Sequence, residues 1–329
     1  MHRRTVLAGL IATLACAAPL AAQSPGPAAE SRAADSRLPP PASRVLKVLT
    51  FNIHHAEGED GTLDVARVAQ VIRDAGADIV GLQEVDRGAE RTGRRDLLKE
   101  IADLAGLRFA FGKNLDLQGG DYGNALLTRF PIVSEGNRAL PVIGGGEPRG
   151  VLQVVLDVEG TQVLVLTTHL DHRRPDPQRV ASAEAMLEML QAWGDRPAIA
   201  LGDFNDVPGS ETYRILTSGQ RAPGTGHGEP GAGNRAPGTG HGEPGAGNRA
   251  PGTGQRASDS GHREGSAGRG GLVDVWAAVG KGDGFTIPVE APSKRIDWIL
   301  VRGFEPVAAE VPRTEASDHL PVAATLRFR

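Results

Sequence analysis

The chain has 329 residues, 40% hydrophobic and 23% charged, with a formal net charge of −4. That balance suits one large globular domain or two smaller ones. It excludes a bulk basic footprint for nucleic acid but not a local basic patch. Its single cysteine is Cys16, so the chain beyond it can form neither a disulfide nor a Cys-based metal site.

The first segment reads MHRRTVLAGLIATLACAAPLAAQS. Arg3 and Arg4 form a positive start, residues 5–22 are small and apolar, and Leu20-Ala21-Ala22 offers a cleavage site before Gln23. This is the pattern of a secretory signal peptide; a membrane anchor is the alternative, disfavoured by a short, Ala-rich span. RRTVL is similar to a twin-arginine export signal, whereas Thr13 to Cys16 match a lipoprotein box poorly. The expectation is a signal over 1–22 and an exported chain, periplasmic or extracellular, with a net charge of −6 once the two arginines are lost. Residues 23–43, rich in Pro, Ala and Ser, read as a flexible leader.

Strands are predicted at 45–52, 78–84, 124–130, 151–158, 162–170, 198–203, 296–301 and 322–328, all short and rich in Val, Ile, Leu and Thr. Helices are predicted at 63–75, 94–105, 177–193 and 209–218. The first has a cap near Thr62 and a C-terminal glycine, Gly76. Between 219 and 271 the sequence RAPGTGHGEPGAGN occurs at 221–234 and again at 235–248. This stretch has too few large apolar side chains to offset backbone ordering and is read as a disordered insertion, not a solenoid. Strand–helix alternation followed by closely linked strands predicts an α/β or α+β layered domain, 44–329, with mixed sheets.

Four apolar runs each deliver one polar residue at their ends: Asn52, Glu84, His169 and Asp203. Rigid strand ends are where layered α/β folds gather short polar side chains into sites. Glu and Asn oxygens suit a hard cation that keeps waters and takes phosphate oxygens, and His and Asp suit proton transfer. Together they point to metal-assisted hydrolysis of a phosphate ester. Asp297 stands inside the apolar run IDWIL and needs a partner or a metal. Asp318 adjoins His319 and is a candidate to orient it. Asp203 and Asn205 have period-2 spacing, which would turn both toward one water and Phe204 into the core.

The motifs TFNIHH (50–55), GLQEVDR (81–87), YGNALLTR (122–129), EPRG (147–150), TTHLDH (167–172), GDFND (202–206), RIDWIL (295–300) and SDHLPV (317–322), in this order, resemble the endonuclease/exonuclease/phosphatase family. The resemblance implies a four-layer sandwich of two mixed β-sheets with helices outside, and Mg²⁺-dependent attack of water on phosphorus, with Mn²⁺ as a substitute. It implies Glu84 as the main metal ligand with Asn52 beside it, and Asp203 and Asn205 positioning and activating the water. His169 and His319 would contact the scissile phosphate, Asp318 would orient His319, and Asp297 would support this region. Tyr122, Asn124 and Arg149 match phosphate-contacting positions. Where abasic-site endonucleases of the family carry a carboxylate, this chain has His54, which argues against DNA repair.

The expected substrate is a phosphodiester, from nucleic acid, a phospholipid head group or a small molecule, cleaved by a monomer with no obligate protein partner. The alternatives are a phosphomonoesterase on inositol or sugar phosphates, a sphingomyelinase- or phospholipase C-like enzyme, and a binding protein that has lost the site. A DNA-acting enzyme would line the site with arginines, for which Arg91, Arg94, Arg95, Arg129, Arg149, Arg173 and Arg174 are candidates. A degenerate binding protein would lack the Glu, the Asp-x-Asn pair or the terminal His, all of which are present.

Overall fold

A computed structural model describes residues 45–221 and 271–329 of the chain. The predicted signal, the leader and nearly all of the repeat segment lie outside the described residues.

The first sheet is built around β1 (Val45–Asn52) and β2 (Ile79–Arg87), which are parallel and joined by α1 (Val65–Ala75). After α2 (Leu97–Ala105), the hairpin of β3 (Arg108–Leu117) and β4 (Gly120–Thr128) extends it on one side. The last two strands, β11 (Phe304–Glu310) and β12 (Val322–Phe328), extend it on the other, giving the order β11-β12-β1-β2-β4-β3. The second sheet repeats the logic. Its parallel pair is β7 (Thr161–His169) and β8 (Ala198–Asp203), joined by α3 (Pro177–Trp193). Flanking them are β5 (Ile132–Ala139), β6 (Gly150–Val158), β10 (Asp297–Arg302) and the two-residue β9 (Val273–Asp274), in the order β5-β6-β7-β8-β10-β9.

Both faces of each sheet are covered, so the central strands are apolar on both sides. Leu46, Val48, Leu126, Val154, Val165, Ile199, Leu201 and Ile299 meet in the core between the sheets. Leu49, Phe51, Val80 and Leu82 face outward onto α1 and α2. Leu166, Ala198, Ala200 and Leu300 face the other way, onto α3 and α4 (Glu211–Ser218). The result is the expected four layers, helix–sheet–sheet–helix. No helix among the described residues is long and apolar enough to cross a membrane.

Helix ends follow capping chemistry. Asp64, not Thr62, caps α1 through the Ala66 and Arg67 N–H groups, and Gly76 closes it in the left-handed conformation. Asp96 and Ser210 cap α2 and α4, so these helices begin two to three residues later than predicted. The repeat segment leaves after Gly219, the C-cap of α4, and the chain re-enters where the Leu272 N–H donates to Leu216 O at 3.0 Å. Its two ends are thus adjacent, and the sheet order does not depend on the segment between them.

Gly202 in β8 has φ +146, and a Cβ there would lie 2.0 Å from the Thr168 carbonyl oxygen. Gly202→Ala is therefore expected to destabilise the fold by about 1–3 kcal/mol from backbone strain alone. Thermal unfolding should show a drop of roughly 2–4 °C per kcal/mol. An unchanged Tm would refute this close approach of the β7 and β8 backbones.

Candidate active site

Strand register assembles the site. His169 ends β7, Asp203 ends β8 and Asp297 begins β10; they are paired in register, forming one row across three strands. Asn52 ends β1 in the opposite sheet, paired with Gln83. The next residue, Glu84, sits where the β2–β4 pairing slips between Leu82 and Val85, and it has φ +59. β2 thus runs on to Arg87, past the predicted end, and Glu84 is delivered by a bulge, a device that re-aims a side chain. Beneath it Gln83 ties the sheets together, donating to Thr167 Oγ1 at 3.2 Å and facing the Thr50 hydroxyl.

Glu84, His169 and Asp203 open onto one cleft of about 320 Å³, lined also by Tyr122, Arg149, Asn205 and His319 among others. Asp203 is its centre. Its Oδ1 accepts the Asn205 N–H (2.8 Å), and its Oδ2 accepts Asn52 Nδ2 (3.1 Å). The same Oδ2 lies 3.4 Å from His169 Nε2 and 3.8 Å from His319 Nε2. Burial first, then the nearby Asp297 charge, lift the Asp203 carboxyl to about 7, against the opposing pull of His319, the Asn205 N–H and Asn52.

The two imidazoles differ. His169 is held well below its usual range by burial, with the charges of Arg149, His319 and His172 adding to the effect, so it is neutral. Its Nδ1 has no hydrogen-bond partner and lies 4.0 Å from Glu84 Oε1. Burial alone would also neutralise His319, but the Asp297 charge and hydrogen bond, backed by Asp203, raise it to about 10. His319 Nδ1 sits 3.0 Å from Asp297 Oδ2, which also accepts the Thr286 hydroxyl at 2.6 Å. The site therefore pairs one imidazolium with one neutral imidazole across a shared carboxylate.

Three of the predicted roles change, and Asn205 keeps its place by another route. Asp318 does not orient His319; it faces the Ser317 hydroxyl at 3.3 Å, and Asp297 does the orienting. Asp318 is taken up by its neighbour Ser317, whereas Asp297 arrives at the His319 ring from another strand. Asn52 is not placed as a metal ligand. Its Nδ2 donates to Glu84 Oε1 (3.0 Å) and Asp203 Oδ2, and its Oδ1 accepts the His54 N–H (3.1 Å), so it spaces the two carboxylates. Asn124 is fully buried off the cleft wall, donating to Gly150 O at 3.1 Å beside Arg149. Asn205 shares the cleft with Asp203 but not by strand periodicity: β8 ends at Asp203, Asn205 has φ +50, and its Nδ2 is anchored on Leu170 O at 3.0 Å. Phe204 is core as predicted, stacked on Trp298 with centroids 4.6 Å apart.

Tyr122 and Arg149 do face the cleft. Burial and the Glu84 charge push the Tyr122 phenol upward, so it stays protonated as a donor. Arg149 is 3% exposed, yet its Nε and Nη1 have no hydrogen-bond partner. Of the other arginines, Arg91 lines the cleft, its guanidinium held by buried Asp86 at 2.7 Å. Arg94, Arg95, Arg129 and Arg173 are paired with acids and are not on its wall. Sequence reasoning passed over His172, Glu147, Leu115 and Leu117, which also line the cleft, and Thr286, which holds Asp297.

A hard divalent cation fits this donor set at Glu84. Its carboxylate borders the cleft, accepts one hydrogen bond from Asn52 and lies 4.0 Å from the neutral His169 ring. Atoms of Asp203, Asp297 and His319 also lie within 4.8 Å of one another. Asp297 Oδ2 and His319 Nδ1 are already bonded to each other there, so that group is a hydrogen-bonded chain, and Glu84 is the better oxygen ligand.

A model of the endonuclease/exonuclease/phosphatase family matches residues 49–319. The uncharacterized protein YbhP of Escherichia coli K12 is 34% identical over 177 residues, covering 49% of this chain and 67% of its own length. An endonuclease/exonuclease/phosphatase from Beutenbergia cavernae shares the fold with a TM-score of 0.58 at 23% identity, over 87% of this chain and 72% of its own. A mannosyl-6-phosphatase of Bacteroides thetaiotaomicron does so with a TM-score of 0.61 at 19% identity, over 86% of this chain and 100% of its own. The paired six-stranded sheets, the cleft at their strand ends and the match over most of the described chain agree, and the chain belongs to the endonuclease/exonuclease/phosphatase family.

Proposed function

We propose that this protein is an exported, divalent-metal-dependent phosphoesterase that hydrolyses phosphodiester bonds by direct attack of water. The observation that carries the reading is the pairing of a buried guanidinium with unused N–H groups, Arg149, with a floor of carboxylates and imidazoles. Glu147 Oε1, 3.3 Å from Arg149 Nη1, offsets its charge, and the N–H groups left without a hydrogen bond suit a phosphate oxygen. Tyr122 and Arg149 bind phosphate oxygens. Glu84 would hold Mg²⁺ or Mn²⁺, which when bound would supply Lewis-acid stabilisation of the phosphate charge. Asp203 takes the proton of the attacking water, which Asn205 aligns. His319, an imidazolium, faces the charge that grows on phosphorus and the leaving oxygen, while neutral His169 donates or accepts one hydrogen bond beside it. Asn52 keeps Glu84 and Asp203 apart, and Asp297 with Thr286 fixes the ring of His319.

Two arginines on the cleft wall give little electrostatic reach along a nucleic acid, which favours a compact substrate over long DNA. The likeness to a mannosyl-6-phosphatase is one of fold, and it brings sugar phosphates into the panel to be tested. The mature chain should be assayed with Mg²⁺ and Mn²⁺ against bis(4-nitrophenyl) phosphate, DNA, RNA, sphingomyelin, inositol phosphates and sugar phosphates. Metal-dependent hydrolysis of the simple diester, with water oxygen delivered to phosphorus, is expected. Cleavage of monoesters alone would overturn the diesterase reading, and no hydrolysis of any ester would overturn the enzymatic one.

A further inference from the structure

His169 keeps one nitrogen out of every hydrogen bond described above. Its side chain is 6% exposed, and among the described residues Nδ1 has no hydrogen-bond partner. The strands fix the ring's place: His169 pairs in register with Asp203, and the Leu170 N–H donates to the Asp203 carbonyl at 2.9 Å. Its Nε2 faces Asp203 Oδ2 at 3.4 Å. A neutral imidazole carries one N–H and one lone pair. With Asp203 ionised, as its work as a base requires, the N–H sits on Nε2 and the lone pair on Nδ1. That nitrogen lies 4.0 Å from Glu84 Oε1. The gap is too long for a hydrogen bond, and a lone pair beside a carboxylate oxygen in a buried site is repulsive. A cation between them removes the conflict. Two atoms bound to one ion, each at about 2.0–2.2 Å, can stand up to about 4.3 Å apart, so one ion reaches both.

The surroundings agree. Glu84 Oε1 accepts one N–H, from Asn52, and keeps a second lone pair. Metal-bound imidazoles usually donate their other N–H to a carboxylate, the place Asp203 takes here. Glu84, Asp203 and Asp297 supply three carboxylates against the cations His319 and Arg149, and Glu147 offsets Arg149 at 3.3 Å. The family resemblance implies a phosphate contact for His169, but the free nitrogen lies beside Glu84.

We propose that His169 Nδ1 is a ligand, with Glu84, of the divalent cation, and that the cleft therefore selects a first-row transition ion such as Mn²⁺ over Mg²⁺. An imidazole nitrogen suits such ions, whereas Mg²⁺ is held by oxygens. The inference rests on the metal-dependent reading above, which asks only for a cation at Glu84. The test is pulsed EPR of the full chain, stripped by chelator and given one equivalent of Mn²⁺, with Mn²⁺ and Mg²⁺ affinities measured by calorimetry. Wild type should show the ¹⁴N coupling of a directly bound imidazole and hold Mn²⁺ more tightly than Mg²⁺ by about tenfold or more. His169→Gln, which offers an oxygen in place of the nitrogen, should lose the coupling and lower that ratio by about tenfold or more. His319→Gln and His172→Gln, at the other histidines of the cleft wall, should keep the coupling. No nitrogen coupling in wild type, or equal affinity for the two ions, would overturn the proposal. So would a coupling that survives in folded His169→Gln or one that is lost in His319→Gln or His172→Gln. The wild-type spectrum needs no variant, so its result stands even where His169→Gln fails to fold. Binding of neither ion by wild type would overturn the metal-dependent reading itself.

Discussion

Asp203→Asn is expected to lower kcat on a chromogenic phosphodiester by a factor on the order of 10²–10⁴, the usual worth of a positioned general base, while the protein stays folded. The carboxylate is the point on which Asn52, Asn205, His169 and His319 converge, and asparagine keeps its shape without its basicity. Its cost to the fold is legible in its titration. Burial and Asp297 raise it to about 7 from an ordinary 3.8, so the folded protein binds a proton there that the unfolded chain has released. Wild-type stability from this group is therefore present at low pH and lost as pH rises from about 4 through about 7. The variant lacks that loss. It gives up one of two accepted hydrogen bonds, but its Tm relative to wild type should improve as pH rises through this window. A near wild-type rate in Asp203→Asn would sink the role assigned to it.

His319→Gln should be the next most damaging change, costing roughly 10²-fold or more in kcat because it removes the imidazolium of the site. The folded value is again raised, so the pH dependence has the same sign, over a higher window. The folded value, about 10, lies above the ordinary 6.5, so the His319–Asp297 pair stabilises the fold fully below about 6.5, and that contribution is lost as pH rises toward 10. Wild type should lose Tm across that range and His319→Gln should not. In Asp297→Asn the charge that raises His319 is gone, and the alkaline fall in kcat should move to lower pH. An alkaline limb that stays in place in Asp297→Asn would show that it belongs to another group.

The parts of the fold legible in the sequence were the ones buried on two faces. β1, β6, β7, β8, β10 and β12 each carry a run of Val, Ile, Leu and Ala, and their predicted limits hold to within a residue. The strands missed, β3, β5, β9 and β11, are sheet edges, where one rim faces solvent and polar residues intrude. β5 reads IVSEGNRA and is almost wholly exposed; β11 contains Pro306 at an irregular pairing. The site shows the same division. Residues that end a strand, such as His169 and Asp203, announce themselves by a break in an apolar run. Thr286 and Glu147 carry no such signal, because they reach the site from loops whose course only the folded chain defines. Proximity in sequence misled for Asp318, where the row across β7, β8 and β10 put Asp297 at His319 instead.

On the proposed reading, hydrolysis at this cleft needs a cation held at Glu84. The direct measurement is turnover of bis(4-nitrophenyl) phosphate by chelator-treated protein, titrated with Mg²⁺ or Mn²⁺, in wild type and in Glu84→Gln. Activity is predicted to vanish on chelation, to return with added metal in wild type, and to need far more metal in Glu84→Gln. Full activity in excess EDTA would overturn the metal-dependent reading.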